Sequence, residues 1–196
     1  MRHYRPILAL ASCFTLVASS GAYLETPEPW QVTRLNTFSP SGRPGSDVNA
    51  HLWANITNPS PIPAGPGVTF DASSANCTVN WVYAGDYPYG HVFICNTTDT
   101  EESSSSSTSK WTIEVLEANV TSPSATTNMD VRFTLTTNLT VDGDEYYKVL
   151  VGTQHFQVGE NMRGSCGGSG VCSWTLRDES VPVLVQPTVV ACQGTC

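Results

Sequence analysis

The chain has 196 residues, 40% hydrophobic and 13% charged, with 9 basic and 17 acidic side chains and a formal net charge of −8. That length supports one domain with a core of its own. An acidic chain without a basic stripe repels nucleic acid and anionic lipid, so neither is expected as a partner.

The first residues read MRHYRPILALASCFTLVASSGAY. Arg2 and Arg5 form a basic head, and Ile7 to Val17 form an apolar run of signal-peptide length, too short to span a bilayer. Ser20, Gly21 and Ala22 offer small residues for cleavage before Tyr23, so residues 1–22 read as a secretory peptide and 23–196 as one mature domain. No later apolar run has transmembrane length, and the ending VVACQGTC is not the tail of a GPI signal. A secreted, soluble protein is expected. Cleavage would remove Cys13, Arg2 and Arg5, leaving six cysteines and seven basic residues against seventeen acidic ones, a charge near −10. Sequons at Asn55, Asn76, Asn96, Asn119 and Asn138 agree with export, and any glycan on them must face solvent.

From residue 30 onward the dominant signal is alternation with a period of two, which marks strands. A first strand, WQVTRLNTF, ends at the turn residues Pro40 to Gly45. In DVNAHLWANIT, Val48, Ala50, Leu52, Ala54 and Ile56 share one face, opposite Asn49, His51, Trp53 and Asn55. NCTVNWVY sets Cys77, Val79, Trp81 and Tyr83 against Asn76, Thr78 and Asn80. KWTIEVL points Trp111, Ile113 and Val115 inward, and DVRFTLTTNLTV does the same with Val131, Phe133 and Leu135. Asp142-Gly143-Asp144 reads as a hairpin turn between two strands, and QPTVVAC supplies a last strand after Pro187. The Pro-rich stretch 58–67 and the acidic, serine-rich stretch 101–109 read as unstructured loop insertions. The expected fold is all-β, with about eight to ten antiparallel strands in a β-barrel or β-sandwich.

An even set of cysteines in an exported chain reads as disulfides: Cys77, Cys95, Cys166, Cys172, Cys192 and Cys196. The simplest connectivity is local, 77–95, 166–172 and 192–196, with exchange between the last two pairs as the rival. A bridge from Cys77 to Cys95 across a hairpin would set Trp81 opposite His91, with the turn near AGDYP. HVFICN fits that arrangement poorly, since Val92, Phe93 and Ile94 are all apolar; it implies burial on both sides or a bulge. In MRGSCGGSGVCSW the five-residue gap between Cys166 and Cys172 is wrong for a zinc knuckle, and there is no C-x-x-C dithiol. A small disulfide-closed turn is the reading, and no metal or other cofactor is expected.

Catalytic patterns are weak. GGSGV lacks the last glycine of a nucleophile elbow, and His51, His91 and His155 are scattered among strands. Glu114 and Glu117 are the only acids worth weighing as a glycosidase pair, and the acidic run at 142–145 lacks the spacing of a calcium loop. A binding role carries more weight. Trp53 stands on the polar face of its strand, and Tyr87 and Tyr89 flank a proline in GDYPYGH. Exposed aromatics of this kind stack on sugars or anchor partner proteins. The bland alternative puts Trp53 under a loop and makes Tyr87 a cap of the hairpin.

The order of CTVNWVY, HVFIC, VRFTLTTNL, EYYKVLV and CGGSGVC, after a secretory peptide, resembles the Alternaria major-allergen family of secreted fungal proteins over roughly residues 30–190. That family includes elicitors of the plant hypersensitive response. The resemblance implies a β-barrel, two disulfides falling here on Cys77–Cys95 and Cys166–Cys172, an extracellular or cell-wall location, and a role in host interaction without catalytic residues. Cys192, Cys196, the serine insertion and the number of sequons depart from it and leave the oligomeric state, a homodimer included, open. The expectation is a non-enzymatic fungal effector or elicitor that meets a host extracellular protein or small ligand. The alternative is a secreted carbohydrate-binding module or weak glycoside hydrolase.

Overall fold

The computed structural model describes residues 26–83, 85, 87–98, 107–194 and 196; the expected secretory peptide and most of the serine-rich stretch lie outside them. Fourteen strands run through the described residues. They are β1 (Trp30–Ser39), β2 (Asn49–Asn58), β3 (Ile62–Gly65), β4 (Val68–Phe70), β5 (Ser73–Val82), β6 (Val92–Ile94), β7 (Asn96–Thr98), β8 (Thr108–Glu117), β9 (Asn128–Val141), β10 (Asp144–Gln157), β11 (Met162–Cys166), β12 (Cys172–Leu176), β13 (Val183–Val185) and β14 (Thr188–Gln193). The expected eight to ten fall short because β3, β4, β6, β7 and β13 are three or four residues each, too short to display a period.

Twelve of the strands form two antiparallel sheets, and β3 and β4 form a separate two-stranded one. The front sheet is ordered β11-β12-β1-β2-β5-β7, with β13 also pairing with β1, and the back sheet β14-β10-β9-β8-β6. No ladder joins the two among the described residues, so the open sandwich forms and the closed barrel does not. Their inner faces share one core. Trp30 from the front sheet meets Trp111 from the back sheet edge to face, with ring centroids 4.7 Å apart. Trp111 also donates through Nε1 to Ser73 Oγ at 3.0 Å, which satisfies the one polar atom of a fully buried indole.

Alternation places the core correctly wherever a residue stays within a ladder. Ala50, Leu52, Ala54, Ile56, Cys77, Val79, Trp111, Ile113, Val115, Val131, Phe133 and Leu135 are all buried. It fails at the ends: Val48 and Tyr83 are 65% and 44% exposed, because β2 begins at Asn49 and β5 stops at Val82. The β9–β10 turn is the expected hairpin. Asp142 and Gly143 have φ of 52° and 92°, the pair of positive values a two-residue type I′ turn requires, and Val141 faces Asp144.

Two expectations are overturned. The Pro-rich stretch is not a loop: β3 and β4 form a small ribbon that buries Ile62, Ala64 and Phe70 and leaves Pro61 and Pro63 exposed. Proline lacks an N–H but keeps its carbonyl, which suits a short edge ribbon. Here the buried Lys148 Nζ donates to Pro63 O at 2.7 Å and fastens the ribbon to the back sheet. Nor does the hairpin across Cys77 and Cys95 run as expected: β7 lies antiparallel on β5 as far as Asn76 opposite Asn96, but no ladder sets Trp81 opposite His91. Trp81 faces Ala50 on β2, while β6 pairs with β8 in the back sheet and β7 with β5 in the front one. The chain changes sheets at the buried Cys95, whose bridge to Cys77 ties that crossing down. HVFIC is therefore neither doubly buried nor bulged. Phe93 faces Ile113 on the core side, and Val92 and Ile94 are 62% and 69% exposed.

Cys166 and Cys172 are the last register pair of the β11–β12 hairpin and are bridged; Cys192 and Cys196 close a second short loop at the end of β14. In the first of these loops Gly170, at φ 88°, supplies the reversal expected of the glycine run.

A candidate binding face on the front sheet

β1 carries a bulge between Val32 and Arg34 that shifts its parity by one. Trp30 and Val32 point inward before it, Leu35 and Thr37 after it, and Phe38 is turned outward. Phe38 then lies opposite His51 on β2, and the rings stack with centroids 5.5 Å apart and planes 22° apart. His51 continues to Trp53, two residues along the same face, at 5.0 Å and 32°. The result is a stripe of three aromatic rings on a polar sheet, ending in a Trp53 that is 38% exposed and not covered as the bland reading required.

Hydrogen bonds fix the middle ring. His51 Nδ1 lies 2.8 Å from Asn80 Oδ1 on β5, so that nitrogen carries the donated proton, and Nε2 faces Asp47 Oδ2 at 3.5 Å. The backbone N–H of Asn49 donates to Asp47 Oδ1 at 2.9 Å. That bond, opposed by desolvation and aided by His51, holds the Asp47 carboxyl below its ordinary range.

Asp47 also belongs to an adjoining cleft of about 350 Å³. Its walls are the β1–β2 connection, residues 42–48, and Val82 and Tyr83 at the end of β5. Tyr83 N donates to Val48 O at 2.9 Å, which anchors the two sides. A side chain on Gly42 would meet the Tyr83 ring at 3.2 Å, so glycine there keeps the ring in place. The stripe and the cleft thus form one surface: flat, aromatic and amide-lined at one end, concave and apolar at the other.

Other sequence-derived candidates lie apart from it. Tyr87 and Tyr89 stack at 5.6 Å, but Tyr89 bridges to Val115 of the back sheet. Tyr87 is 65% exposed and Tyr89 is half-buried. Burial first, then the charge of Glu117, pushes the Tyr89 hydroxyl above its ordinary value. Glu114 and Glu117 are three apart on β8 and so point to opposite faces; Glu114 is paired with Arg132 at 2.9 Å. They do not share a cleft as a glycosidase pair must. His91 is exposed in the approach to β6. His155 bonds Asp130 through Nδ1 at 2.7 Å and Gln157 through Nε2 at 3.2 Å, so both its nitrogens serve the fold. Asp142, Asp144 and Glu145 are solvated in and beside their turn. Among the described residues no three His, Cys, Asp or Glu side chains are placed to share a metal ion, and no helix is long and apolar enough to cross a membrane. Of the sequon asparagines, Asn76, Asn96, Asn119 and Asn138 are exposed and Asn55 is half-buried.

Sequence reasoning missed Phe38, His51, Asp47, Val48 and Tyr83 as members of this surface. The bulge hides Phe38, which strict alternation from Trp30 would bury. No family model matches the chain, and no curated protein and no solved structure matches it.

Proposed function

We propose that this is a secreted, non-enzymatic binding protein, of the fungal effector or elicitor kind that the resemblance implies, and that it binds through the outer face of its front sheet. The observation that carries this is the Phe38–His51–Trp53 stripe running into the apolar cleft. Rings held side by side on a rigid sheet lose little entropy when a ligand stacks on them, and such anchors dominate binding energies. Three disulfides in a chain with a secretory-type leader support an oxidising destination outside the cell. The concave, apolar end suits a small ligand or a partner's side chain.

A second reading, a carbohydrate-binding module, draws on the flat end, where aromatic rings sit beside the carboxamides of Asn36 and Asn80. Both readings are tested with the secreted protein, immobilised and exposed to host extracellular fluid and to a panel of polysaccharides. Trp53→Ala should weaken retention of the bound species by about 2 kcal/mol, roughly thirtyfold, while Tyr87→Ala leaves it unchanged. Retention of a polysaccharide selects the second reading and retention of a protein the first. Equal binding by Trp53→Ala and the unaltered protein removes the front face from either.

A further inference from the structure

Three of the five sequons converge on one place. Asn55 of β2 lies opposite Asn76 of β5, and Asn76 lies opposite Asn96 of β7. The neighbours in each strand, Ala54, Ile56, Ala75, Cys77 and Cys95, are buried, so all three asparagines project from the outer face of the front sheet. In sequence they are about twenty residues apart and independent. In the fold they form a single cross-strand row that ends at Arg34 of β1.

We propose that this row is a modification site with neighbour exclusion, occupied by an N-glycan at Asn76 alone or at Asn55 and Asn96 together, never at adjacent positions. This rests on the reading of the chain as exported. Directly opposed residues on antiparallel strands are only about 4.5–5.5 Å apart, whereas residues two strands apart are separated by about 10 Å. A branched oligosaccharide is far bulkier than one strand spacing. In the transfer reaction Asn Nδ2 forms a bond to the anomeric carbon of a lipid-linked oligosaccharide. The donor's pyrophosphate leaves with the bonding pair, and the nitrogen gives up a proton. That step takes place on the extended chain and does not sense the fold. The register senses it afterwards: a chain with glycans on neighbouring asparagines cannot close β2, β5 and β7 without a clash, and is retained. Because Trp53 stands two residues from Asn55 on the same face, the row also borders the binding stripe.

Trypsin reads this directly. Cleavage after Arg34 and Lys110, with Arg43 protected by Pro44, leaves Asn55, Asn76 and Asn96 on one peptide without Asn119 or Asn138. Enzymatic release of N-glycans turns each occupied asparagine into aspartate, so the fragmented peptide shows which sites were filled together on one molecule. O-linked sugars on the serine run do not affect that count. In protein secreted by a eukaryotic host, double conversion at 55 with 76, or at 76 with 96, should be roughly tenfold or more below the product of the single occupancies. The retained intracellular pool should show the product itself, and Asn76→Gln should leave Asn55 and Asn96 jointly occupied at their product. Neighbouring conversions at the product frequency in secreted protein overturn the exclusion. So does a bare peptide accompanied by glycans on Asn119 or Asn138. Absence of N-glycan from all five sequons together with failure to reach the medium instead overturns the export reading beneath it.

Discussion

Replacing Cys77 and Cys95 by alanine tests what holds the sandwich together. The bridge closes a separation of 18 residues, worth about 3 kcal/mol in the chain-entropy account. Its sulfurs are also buried, with Cys77 and Cys95 only 1% and 5% exposed, so their loss opens space in the core at a further cost of about 1–2 kcal/mol. Together that is about 4–5 kcal/mol, or a fall of roughly 8–20 °C in Tm for a domain of this size. The pair Cys166 and Cys172 closes only 6 residues at an exposed hairpin tip, so its double alanine variant should lose about 2 kcal/mol, roughly 4–8 °C. The assay is calorimetric unfolding of both variants without reductant, alongside thiol alkylation during graded reduction of the unaltered protein. Cys166 and Cys172 should be alkylated before Cys77 and Cys95. Equal losses of Tm in the two variants, or first alkylation at Cys77, would refute the idea that the buried bridge pins the chain where it changes sheets.

Other outcomes follow from single contacts. Burial disfavours the His155 cation, but its bonds to Asp130 and Gln157 and the charges of Asp130 and Glu160 outweigh this and raise its pKa. The folded state thus holds that proton more tightly. The contribution is complete below about pH 6.5 and fades as pH rises through the higher folded value. Denaturation midpoints measured from pH 5.5 to 8 should show that loss in the unaltered protein and not in His155→Gln. Trp111→Phe removes the bond to Ser73 and part of the contact with Trp30, and should cost about 2–3 kcal/mol in urea unfolding. Gly143→Ala puts a side chain at φ 92° in the β9–β10 turn and should cost about 1 kcal/mol by the same measurement.

The amino-acid sequence by itself determined the class of fold and most of the core. Side chains of a strand alternate between two faces, so Leu52, Val79, Ile113 and Phe133 had to lie inward whichever strands they paired with. The Asp-Gly turn and the short cysteine spacings are equally local in origin, and they formed as read. Pairing between distant strands was decided only by the tertiary structure, because alternation says which face a residue takes and nothing about its neighbour across the ladder. HVFIC joined the back sheet, a bulge in β1 brought Phe38 out beside His51, and three asparagines far apart in the chain became one row. The candidate binding face belongs to that second kind of information, which is why Trp53 alone of its members stood out beforehand.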